Sequence, residues 1–553
     1  MKVLKKAISI TLAAVIAAGC FAGCGNNTAQ QTVNTEYVRD ENVNDPGVFP
    51  VCKEKIKLTV GIPQNSFITD YVDNAYTKEI EKQLNCELEF MMLPAKDTMQ
   101  KVELMMAAGG EELPDIFCGV NFSDGALVSY GQSGMIVPLN GYYENSMYYL
   151  KDAMEKEPDL KSLITAPDGN MYYVPKYSKA LSNEVGCGRA WINKTWLDKL
   201  GLEIPTTTAE FKEVLKAFKE QDPNGNGKAD EIPFSGYTSL GNLCGLEYLF
   251  ASHLKFTPKT SYLYAKDGKV EAGYVQDGWK QAIEYCADLY KEGLISDSTF
   301  TLDTNSFAPL KNNPEVPILG AFISMSMGFS NDVIDRYDDY VVLPPLEGEG
   351  GYRSSMWVPT VPSAGLVVTK NCENPEAAFR LGDFLCSQDM SLWNRWGELN
   401  VDWKYAEEGA PSLYDEVGYP AIVEMINNKW GVPNNAHWHG ACPSYRDYAL
   451  TSGQVASENN YDEATIATST IEYMKYADMT DVKKFVYDMD VIEEATEINT
   501  NIESYVKEKT AAFVVGTQNI ESDWDKYIAE INNMGLERLI EHTQASYDKM
   551  NAK

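Results

Sequence analysis

The stretch Asp222-Pro-Asn-Gly-Asn-Gly-Lys-Ala-Asp-Glu231 sets oxygen-bearing side chains at alternate positions. Counted as a calcium loop, positions 1, 3 and 5 fall on Asp222, Asn224 and Asn226, and Gly227 takes position 6, where the chain must turn sharply. Lys228 offers its backbone carbonyl at position 7 and Asp230 its carboxylate at position 9. Position 12 holds Pro233 instead of the bidentate Glu, and Glu231 is the replacement. Ile232-Pro233 argues against a helix after the loop, and a sensor needs that second helix as its lever. The chemistry expected is a structural Ca²⁺ site, against the plainer alternative of a metal-free Gly/Asn turn.

Catalytic constellations are weak. Of the four histidines, His437 and His439 sit in a His-Trp-His run that could bind a metal or line a cleft; an ordinary loop is the preferred reading. The patterns GxSxG, GxGxxG, HExxH and the P-loop are absent. Acidic pairs such as Asp267 or Glu398 with Asp402 resemble a glycosidase dyad only as any pair would among 80 carboxylates. No enzyme is expected. Aromatic rings are the better candidates, because they stack on sugar faces. Loop tryptophans beside Gly, Pro or Asn are preferred over helix-face ones, which selects Trp357, Trp403 and Trp438, with His437 alongside and Tyr177 behind Val-Pro-Lys.

A length of 553 residues requires more than one core. The net charge of −33 argues against nucleic acid and anionic membrane surfaces as partners. At the N-terminus, a basic start and a short apolar run precede Ala-Ala-Gly-Cys20 and Phe-Ala-Gly-Cys24, the layout of a lipoprotein export signal. Cys24 is preferred over Cys20 for lipidation because a polar segment follows it directly. Residues 1–23 then form the signal peptide and 24–53 a flexible tether, with an extracellular, lipid-anchored chain of the Gram-positive type as the expected product. The nine further cysteines show neither CxxC nor metal spacing and read as buried thiols.

The elements that must position these groups are legible in outline. Ile56–Ile62, Cys86–Leu93 and the run at 114–119 read as strands separated by helices near 70–84 and 96–108. Such units make a parallel sheet whose ligands bind beyond the carboxyl ends of the strands, which points to Gln64, Asn65 and Cys118. From 179 a second unit begins with a strand and helix, Gly201 and Pro205 as a stop, and Thr207 with Glu210 as a capping box.

These pieces occur in the order seen in one family. Leu-Pro-Asp-Ile-Phe at 113–117, Trp-Ile-Asn-Lys-Thr-Trp-Leu-Asp-Lys-Leu-Gly-Leu at 191–202, the calcium-type loop, and the helical C-terminus closely resemble the solute-binding lipoproteins of bacterial carbohydrate ABC transporters, including those that bind alginate oligosaccharides. The resemblance covers about 55–550 and is poor near 430–480. It implies an α/β, two-lobed type II periplasmic-binding fold with hinge crossings near 175–180 and 360–365 and a ligand cleft between the lobes. The implied divisions are 54–178 and 361–430 in lobe 1, and 179–360 and 431–553 in lobe 2. It further implies a monomeric receptor that hands an oligosaccharide to permease subunits, with calcium held by Asp222, Asn224, Asn226, Asp230, Glu231 and the Lys228 carbonyl. A peptide or other non-sugar solute, or a secreted carbohydrate-active enzyme, are the alternatives left open.

Overall fold

The computed structural model describes residues 37–185, 188–457, 461–480 and 482–551. The signal peptide, Cys24, the start of the tether and Cys187 lie outside them. Strand β1 (Ile56–Pro63) is followed by α1 (Ala75–Leu84), β2 (Cys86–Leu93), α2 (Thr98–Ala107), β3 (Ile116–Cys118) and, after several short helices, β4 (Val174–Ser178). β1 pairs in parallel with both β2 and β3, as two strand–helix–strand units require. Alternation along β1 buries Leu58, Val60 and Ile62, while Asn74 caps α1 by accepting from the Tyr76 amide.

The chain then crosses to a second sheet. Here lie β5 (Arg189–Asn193), α3 (Lys194–Leu200), α4 (Thr208–Glu220), β6 (Ile232–Ser235), the hairpin β7 (Leu263–Lys266) and β8 (Lys269–Ala272), α5 (Asp277–Lys291), β9 (Leu319–Ser324) and β10 (Tyr340–Leu343). The capping box of Thr207 and Glu210 is present at the start of α4. Phe211, Leu215 and Phe218 on α4 pack with Trp196 and Phe234, and Trp279 and Ile283 of α5 extend the same core.

A second crossing returns the chain as β11 (Ser363–Val368), α6 (Pro375–Leu385), α7 (Gln388–Trp396), the small pair β12 (Trp403–Tyr405) and β13 (Val423–Met425), and β14 (Ser444–Arg446). The first sheet thus has the order β14-β4-β11-β3-β1-β2, and the second β10-β5-β9-β6. A third crossing leads to α8 (Tyr461–Met474) and then α9 (Ile492–Val514), α10 (Ile520–Asn533) and α11 (Leu536–Asn551). Ile502, Val506, Tyr527 and Leu539 on these last helices join the core of the second sheet.

Two expectations need correction. Residues 37–53 do not belong to a flexible tether: Val43, Val51 and Cys52 are fully buried, and Glu376 at the first turn of α6 holds the segment down. Its carboxylate accepts from Arg39 Nη1 at 2.6 Å, the Asp40 amide at 2.6 Å, Tyr37 Oη at 2.9 Å and Ser146 Oγ at 2.9 Å. Polar composition hid three apolar anchors and a buried acceptor that needs donors. The boundary at 431 is also too early. β14 pairs in parallel with β4, Ser444 opposite Lys176, so residues 431–446 complete the first sheet before the chain crosses. Among the described residues eight cysteines are free thiols and all are buried, as their scattered spacing implies.

Candidate functional site

Alternation along β4 and β14 decides which side chains meet. Lys176 and Ser178 on β4 share a face with Ser444 and Arg446 on β14, while Tyr177 and Tyr445 point to the other. The first face lines a cavity of about 290 Å³, closed by Asn394, Arg395 and Trp396 of α7, by Trp430, by Ser182, Asn183, Thr451, Ser452 and Gln454 of the crossing segments, and by Glu463 of α8. It lies on that face and reaches toward the carboxyl ends of β4 and β14, the side on which open α/β sheets place ligands.

One wall is a stack of flat groups. The Arg395 guanidinium lies 4.1 Å from the Trp430 ring centre, Trp430 stacks on His439 at 4.0 Å, and His439 stacks on Phe67 at 4.8 Å. Trp430 keeps 37% of its surface exposed, so its ring retains a free edge toward the cavity mouth. The wall is otherwise polar and incompletely satisfied. Arg395 Nη2 reaches Glu463 Oε1 at 3.4 Å, and Arg446 Nε donates to Ser178 Oγ at 3.3 Å. Arg446 Nη1, Thr451 Oγ1 and Gln454 Oε1 are shielded from solvent and have no hydrogen-bond partner. Buried polar atoms in native proteins are nearly always paired, so unpaired ones at a cavity wall are free to bind a ligand or water. Burial, with the like charge of Arg395, lowers the Arg446 pKa to about 9; burial also lowers that of Lys176, and Arg446 adds to the effect.

Most of the residues selected from sequence lie elsewhere. Trp438 is fully buried among Tyr71, Tyr76 and Phe90, its indole N–H donating to Thr77 Oγ1 at 2.8 Å. Trp403 is equally buried against Leu392, Trp396 and Val423, with its N–H on the Gly397 carbonyl at 2.7 Å. Cys118 is inaccessible, and Tyr177 is one residue off the cavity face. Trp357, 6% exposed, lies in the second crossing and borders a different cavity with Lys255 and Met479. A ring with no free face cannot stack on a sugar, and Trp403 and Trp438 are both fully buried. His437 is buried too; its Nδ1 accepts from the His439 amide at 3.0 Å. Of the loop after β1, Gln64 is exposed, while Asn65 Nδ2 lies 3.4 Å from His439 Nδ1 beneath the stack. Asp402, offered as half of a dyad, staples its own loop by accepting from the Glu398 amide at 2.9 Å.

The groups missed are Lys176, Arg395, Trp430 and Arg446. Trp430 stands in Asn-Lys-Trp-Gly-Val-Pro, the same loop context that favoured Trp357, and the alternation of Val-Pro-Lys-Tyr-Ser could have exchanged Tyr177 for its neighbours.

The 222–231 loop joins α4 to β6, so a strand follows it and not a helix. Asp222 (φ +46°), Gly225 (φ +75°) and Gly227 (φ +72°) supply the left-handed turns that curl its oxygens inward. The Asp222 carboxylate accepts from the amides of Gly225 and Gly227, each at 3.0 Å. Asn224 Nδ2 donates to Asp230 Oδ1 at 2.9 Å and Asn226 Nδ2 to Oδ2 at 3.0 Å. Glu231 Oε1 is shielded from solvent without a partner, and burial, reinforced by Asp222 and Asp230, pushes its pKa up. Three carboxylates, two amides that expose oxygen on turning over, and an orphaned buried carboxylate oxygen fit a hard cation.

Residues 61–390 match the family of bacterial extracellular solute-binding proteins. The chain is 26% identical over 573 residues to the fructooligosaccharide ABC transporter substrate-binding protein FusA of Streptococcus pneumoniae, covering 99% of this chain and 98% of that one. The FusA structure in complex with kestose superposes with a TM-score of 0.75 at 25% identity, over 90% of this chain and 99% of that one. A structure of alginate-binding protein AlgQ2 without calcium ion gives 0.68 at 21% identity, over 91% of this chain and all of that one, with 100% covered. FusA has also been crystallised as an EF-hand mutant, with fructo-nystose.

Proposed function

Because the chain belongs to the bacterial extracellular solute-binding protein family, we propose that it captures an oligosaccharide in the cavity at the ends of β4 and β14 and delivers it to the permease of an ABC transporter. FusA, a fructooligosaccharide-binding relative aligned over almost the full length, supports the sugar class. The observation that carries the reading is one wall offering both the exposed edge of an aromatic ring, Trp430, and shielded hydrogen-bonding atoms without partners, on Arg446, Thr451 and Gln454. Sugars present that same pairing of apolar ring faces and hydroxyl edges. The cavity draws on the first sheet and on crossing segments together, so a bound sugar would favour the closed arrangement of the two lobes.

The receptor is non-catalytic in this reading, monomeric, and held outside the cell by a lipid on Cys24. The lobes divide at the crossings, 37–178 with 363–446 forming one and 188–343 with 461–551 the other. Ca²⁺ would be held by Asp222, Asn224, Asn226, Asp230, Glu231 and the Lys228 carbonyl, supplying positive charge that three neighbouring carboxylates need. Its role is to stiffen the junction of α4 and β6.

Titration calorimetry with a panel of oligosaccharides and peptides tests this. Binding of an oligosaccharide is expected, weakened about tenfold by Trp430→Ala for the loss of the ring's exposed edge and of the stack that fixes Arg395. Binding of peptides alone, or unchanged sugar affinity in the variant, would overturn it.

A further inference from the structure

Three cations converge on the cavity, Lys176, Arg395 and Arg446, with Glu463 the one carboxylate on its wall. In a chain with 80 acidic and 47 basic residues, that local reversal of sign is not background. Arg395 is accounted for, paired with Glu463 at 3.4 Å and covered by the Trp430 ring. Lys176 and Arg446 are not. Among the described residues neither forms an ion pair, Arg446 is held only by Ser178 Oγ at 3.3 Å and by the face of Trp396 at 5.7 Å, and its Nη1 is shielded and unpartnered.

The strand register places these two cations together. Ser444 lies opposite Lys176 and Arg446 opposite Ser178, so Lys176 and Arg446 are diagonal neighbours on one face, one strand and two residues apart. That spacing leaves room for an anion between an ammonium and a guanidinium, each with donors to give and none to receive. Two half-buried like charges with no ion-pair partner of their own are costly to cover, and a neutral sugar would leave the cost standing.

Resting on the oligosaccharide reading above, we infer that the captured sugar carries an acidic group, a carboxylate or a sulfate, received between Lys176 and Arg446. The guanidinium Nη1 supplies a directed hydrogen bond and Lys176 a point charge, while Trp430 and the hydroxyl- and amide-bearing wall engage the sugar itself. The cavity therefore selects by charge as well as by shape, and selection weakens as salt rises.

Calorimetry on the full chain would compare three probes: a trigalacturonate, its carboxyl-reduced counterpart, and a sulfated oligosaccharide of similar length. The acidic sugar should bind roughly 10- to 100-fold tighter than its reduced counterpart, the worth of a charge-assisted hydrogen bond. Arg446→Gln should abolish that preference, costing the acidic sugar far more than its reduced counterpart, which loses at most one neutral hydrogen bond. Lys176→Gln should halve the preference in free energy, and serves as the second variant if the first fails to fold. Preference for the carboxylate or the sulfate decides between the two sources. Equal affinity for acid and reduced sugar, or a preference that survives both substitutions, overturns the inference and leaves the oligosaccharide reading intact. Failure of every sugar overturns both.

Discussion

At the scale of single residues, burial decides what a side chain can do, and His437 shows it. Its ring is fully buried and its pKa is pushed down to about 4, first by burial and then by the charges of His439 and Arg395. A histidine held neutral in the fold but free to protonate when unfolded stabilises the protein above its unfolded value near 6.5, and that stability is lost as pH falls from there through about 4. The difference corresponds to about 3 kcal/mol, and His437→Asn has no such titration. Thermal melts from pH 7 to pH 4 should therefore show the wild-type melting temperature falling more steeply than the variant's. Parallel curves would mean the ring is not held neutral. The same residue explains why the His-Trp-His run misled: its middle ring is core, its first histidine is buried structure, and only His439 reaches the stack under Trp430.

At the scale of elements, the strands and helices were largely legible. β1 to β3, the capping box on α4, the calcium-type loop and the helical C-terminus all follow from periodicity, caps and turn residues acting within short windows. What was not legible depends on register between distant segments. Lys176 and Arg446 are 270 residues apart and meet because β14 adds in parallel beside β4, a pairing no local pattern announces. The clamp on residues 37–53 has the same character, since Glu376 lies more than 300 residues from Tyr37, Arg39 and Asp40. Glu376→Gln keeps the size but loses the charge that Arg39 Nη1 and the Asp40 amide address, and should cost about 2 kcal/mol, the scale of hydrogen bonds to a charged group. Limited proteolysis of the variant should cut within 37–53 while the remaining chain stays intact. A wild-type digestion pattern would show that the buried apolar anchors Val43, Val51 and Cys52 suffice alone.

At the scale of the whole molecule, the two sites sit in different architectural places and should be separable. The cavity borders the ends of β4 and β14 and the first and third crossings, whereas the 222–231 loop joins α4 to β6, the outer strand of the other sheet. A ligand in the cavity touches segments that both halves of the chain depend on, so binding should stabilise the fold by about 2.7 kcal/mol at a hundredfold excess over Kd. Hydrogen exchange should then slow in 179–185 and 447–457 and stay unchanged in 222–231. Chelation makes the complementary prediction. If the loop holds Ca²⁺ as proposed, removing it would leave the loop's carboxylates, Asp230 among them, with only amide donors, and should lower the melting temperature and speed exchange at the α4–β6 junction. Well below the melting temperature, sugar affinity should change by less than about twofold, because no cavity group rests on that loop and distant effects add. Were affinity to follow calcium concentration over a graded range, the loop would be coupled to closure and its structural role would be refuted. The absent second helix is the physical ground for expecting otherwise: β6 leaves the loop pinned to β9 along its length, and a paired strand has no swing to transmit.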